Sequence, residues 1–179
     1  EGPDNVGKGT LINNIKNSFN NYTLHQLHYS NVKHKSNQET IKYSTKLYTE
    51  MFNILSNILP CHNGFICDRS HNGEMVYGPI YRNYTGDYVL DIENKFINDD
   101  FWDNLILIVL IDEPENIINR DDGLSFTTDI EKKQLEIDNF ISAYHKSNII
   151  NKLLFNVKDY NENELSKHVN SYIIKTLQE

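Results

Sequence analysis

This 179-residue sequence is poor in cysteine, in arginine and in long apolar runs. Its two cysteines, Cys61 and Cys67, stand outside any CxxC spacing, which excludes a disulfide scaffold and suits a reducing, cytoplasmic setting. With His62 and His71 they form a loose cluster, without the spacing of a zinc site. No apolar stretch reaches the ~20 residues that a membrane-spanning helix needs. No cationic segment leads into an apolar one near the start, as a targeting sequence would. Positive charge is scarce too: 17 Lys and Arg face 25 Asp and Glu, for a net charge of −8. Surfaces that track nucleic acid carry a strong basic face, so this balance disfavours such a partner and favours a small molecule. Pro-, Gly- or Ser-rich linkers and internal repeats are absent, so residues 1–179 read as one domain able to bury its own core.

What is present begins at the first residue. "EGPDNVGKGT" sets Gly2 and Gly7 five apart, with Lys8 directly after. That is the spacing of a phosphate-cradling loop, with Gly9 where Ser or Thr is usual and the hydroxyl one residue later, at Thr10. Glycines let backbone N–H groups converge on phosphate oxygens, and the following helix adds the partial positive charge of its N-terminus. On this reading Gly2, Asn5, Val6, Gly7, Lys8, Gly9 and Thr10 hold the phosphates of ATP. Lys8 bridges the outer phosphates, and the Thr10 hydroxyl bonds phosphate or Mg²⁺. A buried strand feeds such a loop; nothing precedes Glu1, so the expectation is that the first strand is missing from the sequence. A plain glycine turn before a helix is the bland alternative.

The rest of the chain alternates between two periodicities. Leu11, Ile12, Ile15 and Phe19 have helical spacing, and "YTLHQLHYS" reads as a strand. Ser36 and Glu39 have the spacing of a capping box, opening a long helix with one stripe of Ile41, Tyr48, Phe52 and Leu55. "HNG" reads as a turn, "FICD" as a short buried strand, and "LILIVLID" as a strand buried on both faces, since it lacks alternation. Ile130, Ile137, Ile141 and Tyr144 mark another helix, "LLFNV" a last strand, and Leu165, Val169, Tyr172 and Ile173 a closing helix. Strands alternating with helices predict a doubly wound α/β fold with a parallel sheet.

Two further segments carry chemistry. Asp68 and Arg69 leave the C-terminal end of a buried strand, where open α/β sheets bind their ligands. A carboxylate there suits Mg²⁺ or its water shell, and a guanidinium suits bidentate phosphate binding; a surface ion pair is the alternative. After the strongest strand, "IDEPENIINRDDGLSFTTDIEKK" puts Arg120 at the end of a short helix and a polar loop behind it. Residues 118–128 read as a lid that brings Arg120 to the transition state and excludes water. The alternative is a solvated loop with Arg120 paired to Asp121 or Asp122. The whole chain has three arginines, Arg69, Arg82 and Arg120, against fourteen lysines. Where lysine serves for plain charge, an arginine points to a need for the planar fork. His25 and His28 lie three apart on a strand and so on opposite faces, which does not suit a shared metal.

In order and spacing, "EGPDNVGKGT", "FICDRS", "LILIVLIDEPENIINRDD" and "DIEKKQLEIDNFISAY" resemble the thymidylate kinase family of nucleoside monophosphate kinases, across nearly the whole chain. The "DRSH" run is also similar to the deoxynucleoside kinases. The resemblance implies a P-loop kinase with a short lid and ATP and Mg²⁺ as cofactors. It implies catalytic roles for Lys8, Arg69 and Arg120, acceptor binding by Asp4, Arg69, Tyr77 and Arg82, and metal binding by Thr10 and Asp68. It implies transfer to a deoxynucleoside monophosphate, dTMP first, with a free deoxynucleoside or a hydroxymethylated pyrimidine in DNA as the alternative acceptor. A non-enzymatic nucleotide-binding module is the third reading. Such kinases are commonly homodimers through helices flanking the acceptor site, and the stripe over residues 41–55 would serve that or the core. Tyr48 or Phe52 would stack the base, or else pack the core. Departures are visible: "HYSN" replaces the family's "REPG" run, Asn5 stands where some members have arginine, and "GEMVYGPIYRNY" brings Tyr77, Tyr81 and Arg82 to an altered acceptor pocket.

Overall fold

The computed structural model describes residues 1–30, 34–58 and 63–177. Cys61 and His62, the latter the first residue of the expected "HNG" turn, lie outside them; Asn63 and Gly64 open a strand instead.

Helix α1, Lys8–Ser18, buries Leu11, Ile12 and Ile15, the residues whose spacing predicts it. Strand β1, Thr23–His28, leads to α2, Asn37–Ile58, where the Glu39 N–H donates to the Ser36 hydroxyl at 3.2 Å. Strand β2 is Asn63–Asp68. Then come α3 (Gly73–Tyr77), a π-helical turn (Gly78–Arg82) and α4 (Tyr88–Phe96). Strand β3, Ile106–Ile111, is followed by α5 (Pro114–Asn119), α6 (Ile130–Lys146), β4 (Asn151–Asn156) and α7 (Glu162–Thr176). The α3–α4 region is not visible in the periodicity, because Gly73, Gly78, Pro79 and Gly86 cut it into pieces too short to show a stripe.

β1 pairs with β2 and β3 with β4, both in parallel, so the expected parallel sheet is present as two halves. Glu1 bridges them. Its nitrogen donates to the Ile108 carbonyl at 2.7 Å, and its carbonyl accepts from the Leu110 N–H at 3.0 Å. Its carboxylate accepts from the Ser70 N–H and hydroxyl, just past β2, at 2.7 and 2.6 Å. β3 is apolar on both faces, as its unbroken run predicts. Leu107 and Val109 pack with Tyr48, Phe52 and Trp102, while Ile108 and Leu110 pack with Leu11, Ile15 and Val169.

The α2 stripe belongs to the first of these cores. Tyr48, Met51, Phe52 and Leu55 are 1–4% exposed, and the Phe52 ring packs on Phe96, Phe101 and Trp102. The structure thus places Tyr48 and Phe52 in the core.

His71 is likewise structural. Its Nε2 lies 2.7 Å from Glu93 Oε1 on α4, and both side chains are almost fully buried. The Ser147 hydroxyl and the Asn148 N–H also donate to Glu93, at 2.7 and 2.6 Å. Burial alone would raise the Glu93 carboxyl, but the bonds from His71, Asn148 and Ser147 outweigh it and hold the group below its usual 4.5. A carboxyl depressed in the folded state stabilises above its unfolded value, and that contribution is lost as pH falls through the folded value. Glu93→Gln is therefore expected to lose about 2 kcal/mol in urea unfolding at neutral pH. The difference from the parent should narrow in titrations carried below the usual carboxylate value; a gap constant with pH would contradict the assignment.

Candidate active site

The opening loop is held by two glycine conformations. Gly2 has φ 141°, and a Cβ there would stand 2.3 Å from the Leu110 carbonyl oxygen, so the loop crosses the end of β3 where only glycine fits. Gly7, at φ 100°, caps α1. Val6 is fully buried among Leu11, Ile15 and Leu110 and anchors the loop, leaving only its backbone for a ligand. No acidic side chain occupies the first turn of α1, so its N–H groups and dipole are available to an anion.

Lys8 turns back over this loop, its Nζ donating to the Gly2 carbonyl at 2.9 Å and the Pro3 carbonyl at 2.5 Å. Burial pushes its ammonium below the ordinary lysine value; Asp4 pulls it up and Arg69 pushes it further down. Arg69 in turn bonds Asp4 through Nη2. Thus Asp4, Lys8 and Arg69 meet in one cleft, with Asp68 close enough to act on the same ammonium. Arg69 has φ 64°, a left-handed conformation that costs a non-glycine residue about 1–2 kcal/mol. The strain follows from a strand that ends at Asp68 and must turn at once.

The other expected site residues are distributed differently. Thr10 is exposed at the third residue of α1, about 200° around the axis from Lys8 at ~100° per residue. Asp68 Oδ2 lies 3.3 Å from His28 Nδ1 at the adjacent end of β1. Among the described residues no hydrogen bond or ion pair joins Arg82 to Lys8 or Arg69; its Nη1 donates to Glu74 at 2.8 Å and to the Tyr84 hydroxyl at 3.3 Å, and both Tyr84 and Tyr88 also bond Glu74. In this conformation Arg82 is paired with Glu74. Arg120 caps α5, but its partner is neither Asp121 nor Asp122. Nη2 bonds Asp112 at 2.5 Å and Nε bonds the Asn116 carbonyl at 3.0 Å. Among the described residues no hydrogen bond or ion pair joins Arg120 to Lys8 or Arg69.

Asp112 is the residue that sequence reading missed. It leaves the C-terminal end of β3 and is 5% exposed; bonds from Asn116, the Glu113 N–H and Arg120 hold its carboxyl low against the opposing effect of burial. The rule that singled out Asp68, a carboxylate at a strand's C-terminal end, applies equally to it.

The loop from Arg120 to Asp129, the N-cap of α6, lies against the phosphate loop. Asn5 Nδ2 donates to Asp121 Oδ1 and to Ser125 Oγ, each at 3.0 Å. Phe126 rests on Tyr81 at 5.1 Å and on Tyr77 at 5.4 Å between ring centroids. Tyr77 is nearly buried; burial, with the charges of Asp4 and Glu136, pushes its hydroxyl well above the usual tyrosine value. Tyr81 donates to Glu136 at 2.5 Å, and Glu136 also accepts from the buried Lys133 at 2.7 Å.

A carboxylate with spare lone pairs beside a phosphate loop is sufficient donor chemistry for Mg²⁺, which binds one or two carboxylates and completes its shell with phosphate and water. Asp68, engaged only by His28 among the described residues, fits that requirement better than Asp112, which is fully engaged.

With this geometry described, comparison with solved structures places the fold. The crystal structure of YorR from Bacillus subtilis, in complex with phosphorylated GDP, superposes with a TM-score of 0.66 at 18% identity, covering 99% of this chain and 95% of that one. The chain shares that α/β fold. Deoxyadenosine kinase from M. mycoides with bound dATP is a more distant match, with a TM-score of 0.47 at 14% identity, covering 96% of each chain. No family model and no curated protein matches the sequence. No helix among the described residues is long and apolar enough to cross a membrane.

Proposed function

We propose that the protein is an ATP- and Mg²⁺-dependent kinase that transfers the γ-phosphoryl group to a deoxynucleoside monophosphate, with dTMP the first candidate. The observation that carries the reading is the Arg69–Asp4 ion pair beside Lys8. It ties the end of β2 to the phosphate loop, so that a cation for the donor phosphates and a fork for an acceptor phosphate flank one cleft. The nucleotide held by YorR in the same fold supports a nucleotide in this cleft.

In the reaction, an acceptor phosphate oxygen attacks the γ-phosphorus in line as its bond to the bridging oxygen of ADP breaks, so no protein nucleophile is needed. Lys8 exchanges the Gly2 and Pro3 carbonyls for the outer phosphate oxygens. Arg69 exchanges Asp4 for the acceptor phosphate and spreads its charge as the bond forms. Mg²⁺, when bound, neutralises charge on the donor phosphates, and Asp68 would hold it. Arg120 would join the site only by leaving Asp112, a step tied to lid movement.

The lid closes through Asn5 and Phe126. Asn5→Ala removes both bonds to the lid and is expected to raise the ratio of ATP hydrolysis to phosphoryl transfer about tenfold, because water is then excluded less well. Parallel assays of ADP release and acceptor phosphorylation read this ratio; no change would show that the Asn5 contacts do not govern closure.

Presenting nucleosides, nucleoside monophosphates and DNA as acceptors, with labelled ATP as the donor, tests the whole assignment. Phosphorylation of dTMP, or of another deoxynucleoside monophosphate, is expected. Label appearing only in nucleoside or DNA would move the acceptor class, and no label in any acceptor would remove the kinase reading.

A further inference from the structure

Lys133 and Glu136 are two buried charges that the mechanism leaves unused. They stand three apart on α6, each 1% exposed, with Lys133 Nζ donating to Glu136 Oε2 at 2.7 Å. Apolar residues of the same volume would serve the stability of α6 as well or better, so the pair calls for a reason other than packing. The other Glu136 oxygen supplies one. Oε1 accepts the Tyr81 hydroxyl at 2.5 Å, so each oxygen has its own partner. Burial and that bond push the Tyr81 hydroxyl far above the usual tyrosine value, and it stays a donor at any working pH.

Tyr81 lies on the π-helical turn Gly78–Arg82, a rare conformation that concentrates at functional sites. The rings of Tyr77 and Tyr81 stack, with centroids 6.1 Å apart. Phe126 completes the group. It is 56% exposed on the loop before α6, and among the described residues its ring pairs are with Tyr81 and Tyr77. The planes of Phe126 and Tyr81 differ by 22°, a stacked pair. Ser125, the residue before Phe126, accepts from Asn5 of the phosphate loop at 3.0 Å. Neighbouring residues of this loop thus touch the phosphate loop and the π-helical turn.

Resting on the reading of residues 118–128 as a kinase lid, we propose that Tyr81 is the post on which the lid shuts, with Glu136 and Lys133 as positioning residues that hold its ring in the orientation Phe126 needs. None of the three has to touch a nucleotide. Their contacts run from Lys133 through Glu136 and Tyr81 to Phe126, from the buried face of α6 to an exposed ring. A tyrosine free to change rotamer would offer Phe126 several surfaces; pinned by its hydroxyl, it offers one. Closure then orders one ring instead of two, which lowers its entropic cost.

Four variants are compared with the parent by amide exchange across residues 118–128 and by the ratio of ADP release to acceptor phosphorylation: Phe126→Leu, Tyr81→Phe, the paired Lys133→Met and Glu136→Leu, and Phe126→Leu combined with Tyr81→Phe. Phe126→Leu is expected to speed lid exchange about tenfold, on the scale of one stacked ring pair. Tyr81→Phe keeps the ring but frees it, and should speed the same amides at least about threefold. The paired variant removes the acceptor without leaving a charge buried alone, and should match it. The combined variant should exceed Phe126→Leu by less than about twofold, since a post without its ring partner has nothing to hold. The hydrolysis ratio should rise in the same order, while exchange in β3 stays at the parent rate. Four results would each overturn the assignment and return these residues to ordinary packing: lid exchange unchanged in Tyr81→Phe, effects that multiply in the combined variant, faster exchange spread through β3, or a flat hydrolysis ratio in a chain that transfers phosphate. If the paired variant does not fold, Tyr81→Phe and the combined variant decide alone. A parent that phosphorylates no acceptor removes the kinase reading, and lid exchange still decides whether Tyr81 is the post.

Discussion

Lys8→Ala is expected to lower kcat at least about 10³-fold while leaving the protein folded. The lysine bonds the loop carbonyls, and nothing else on α1 can replace it: the only other basic residue of that helix, Lys16, lies two turns away. Its removal should cost little stability. The side chains that anchor α1 are Leu11, Ile12 and Ile15, and the ammonium is held below its ordinary pKa by burial, so losing it also removes a desolvation penalty. The Gly2 and Pro3 carbonyls lose a donor each, leaving a net change of about 1 kcal/mol or less. Steady-state transfer assays and urea unfolding of the same preparation separate the two effects. Turnover within tenfold of the parent would mean that the loop does not hold the transferring phosphate; collapse of the fold would mean that the lysine is structural.

Arg69→Lys keeps the charge and discards the fork. Because a lysine ammonium acts as a point charge, kcat/KM for the acceptor should fall at least about 100-fold, with KM for ATP changed less than about threefold. The backbone makes a second variant informative. At φ 64° the residue is strained, and glycine accepts that conformation without penalty. Arg69→Gly should therefore be as inactive as the lysine variant and still unfold within about 1 kcal/mol of the parent, the relieved strain offsetting the lost ion pair to Asp4. A large loss of stability would make the Arg69–Asp4 pair a structural tie. A mild activity loss in Arg69→Lys would remove two-pronged phosphate binding from the mechanism.

Legibility in the sequence followed distance along the chain. The capping of α2 by Ser36, the α1 stripe and the two-faced burial of β3 depend on neighbours within a few residues, and each was readable. The pairing of Arg120 with Asp112 spans a whole helix, and the pairing of Arg82 with Glu74 spans a π-helical turn that no periodicity announces. In this conformation each of these arginines gives one terminal nitrogen to a carboxylate of the protein. His71 likewise follows the Asp68–Ser70 segment in sequence but turns inward to Glu93.

By itself the amino-acid order determined the glycine-rich opening loop, the alternation of strands and helices, and the position of Arg69 at the end of a strand, because glycine conformations, helix caps and apolar periods are local properties. Tertiary structure alone decided that Asp4 and Arg69 meet beside Lys8, that Tyr48, Met51, Phe52 and Leu55 are core, and that Asn5 bonds Asp121 and Ser125. Those outcomes depend on which surfaces pack together, and side chains dozens of residues apart are brought into contact only when the sheet and its helices close around them.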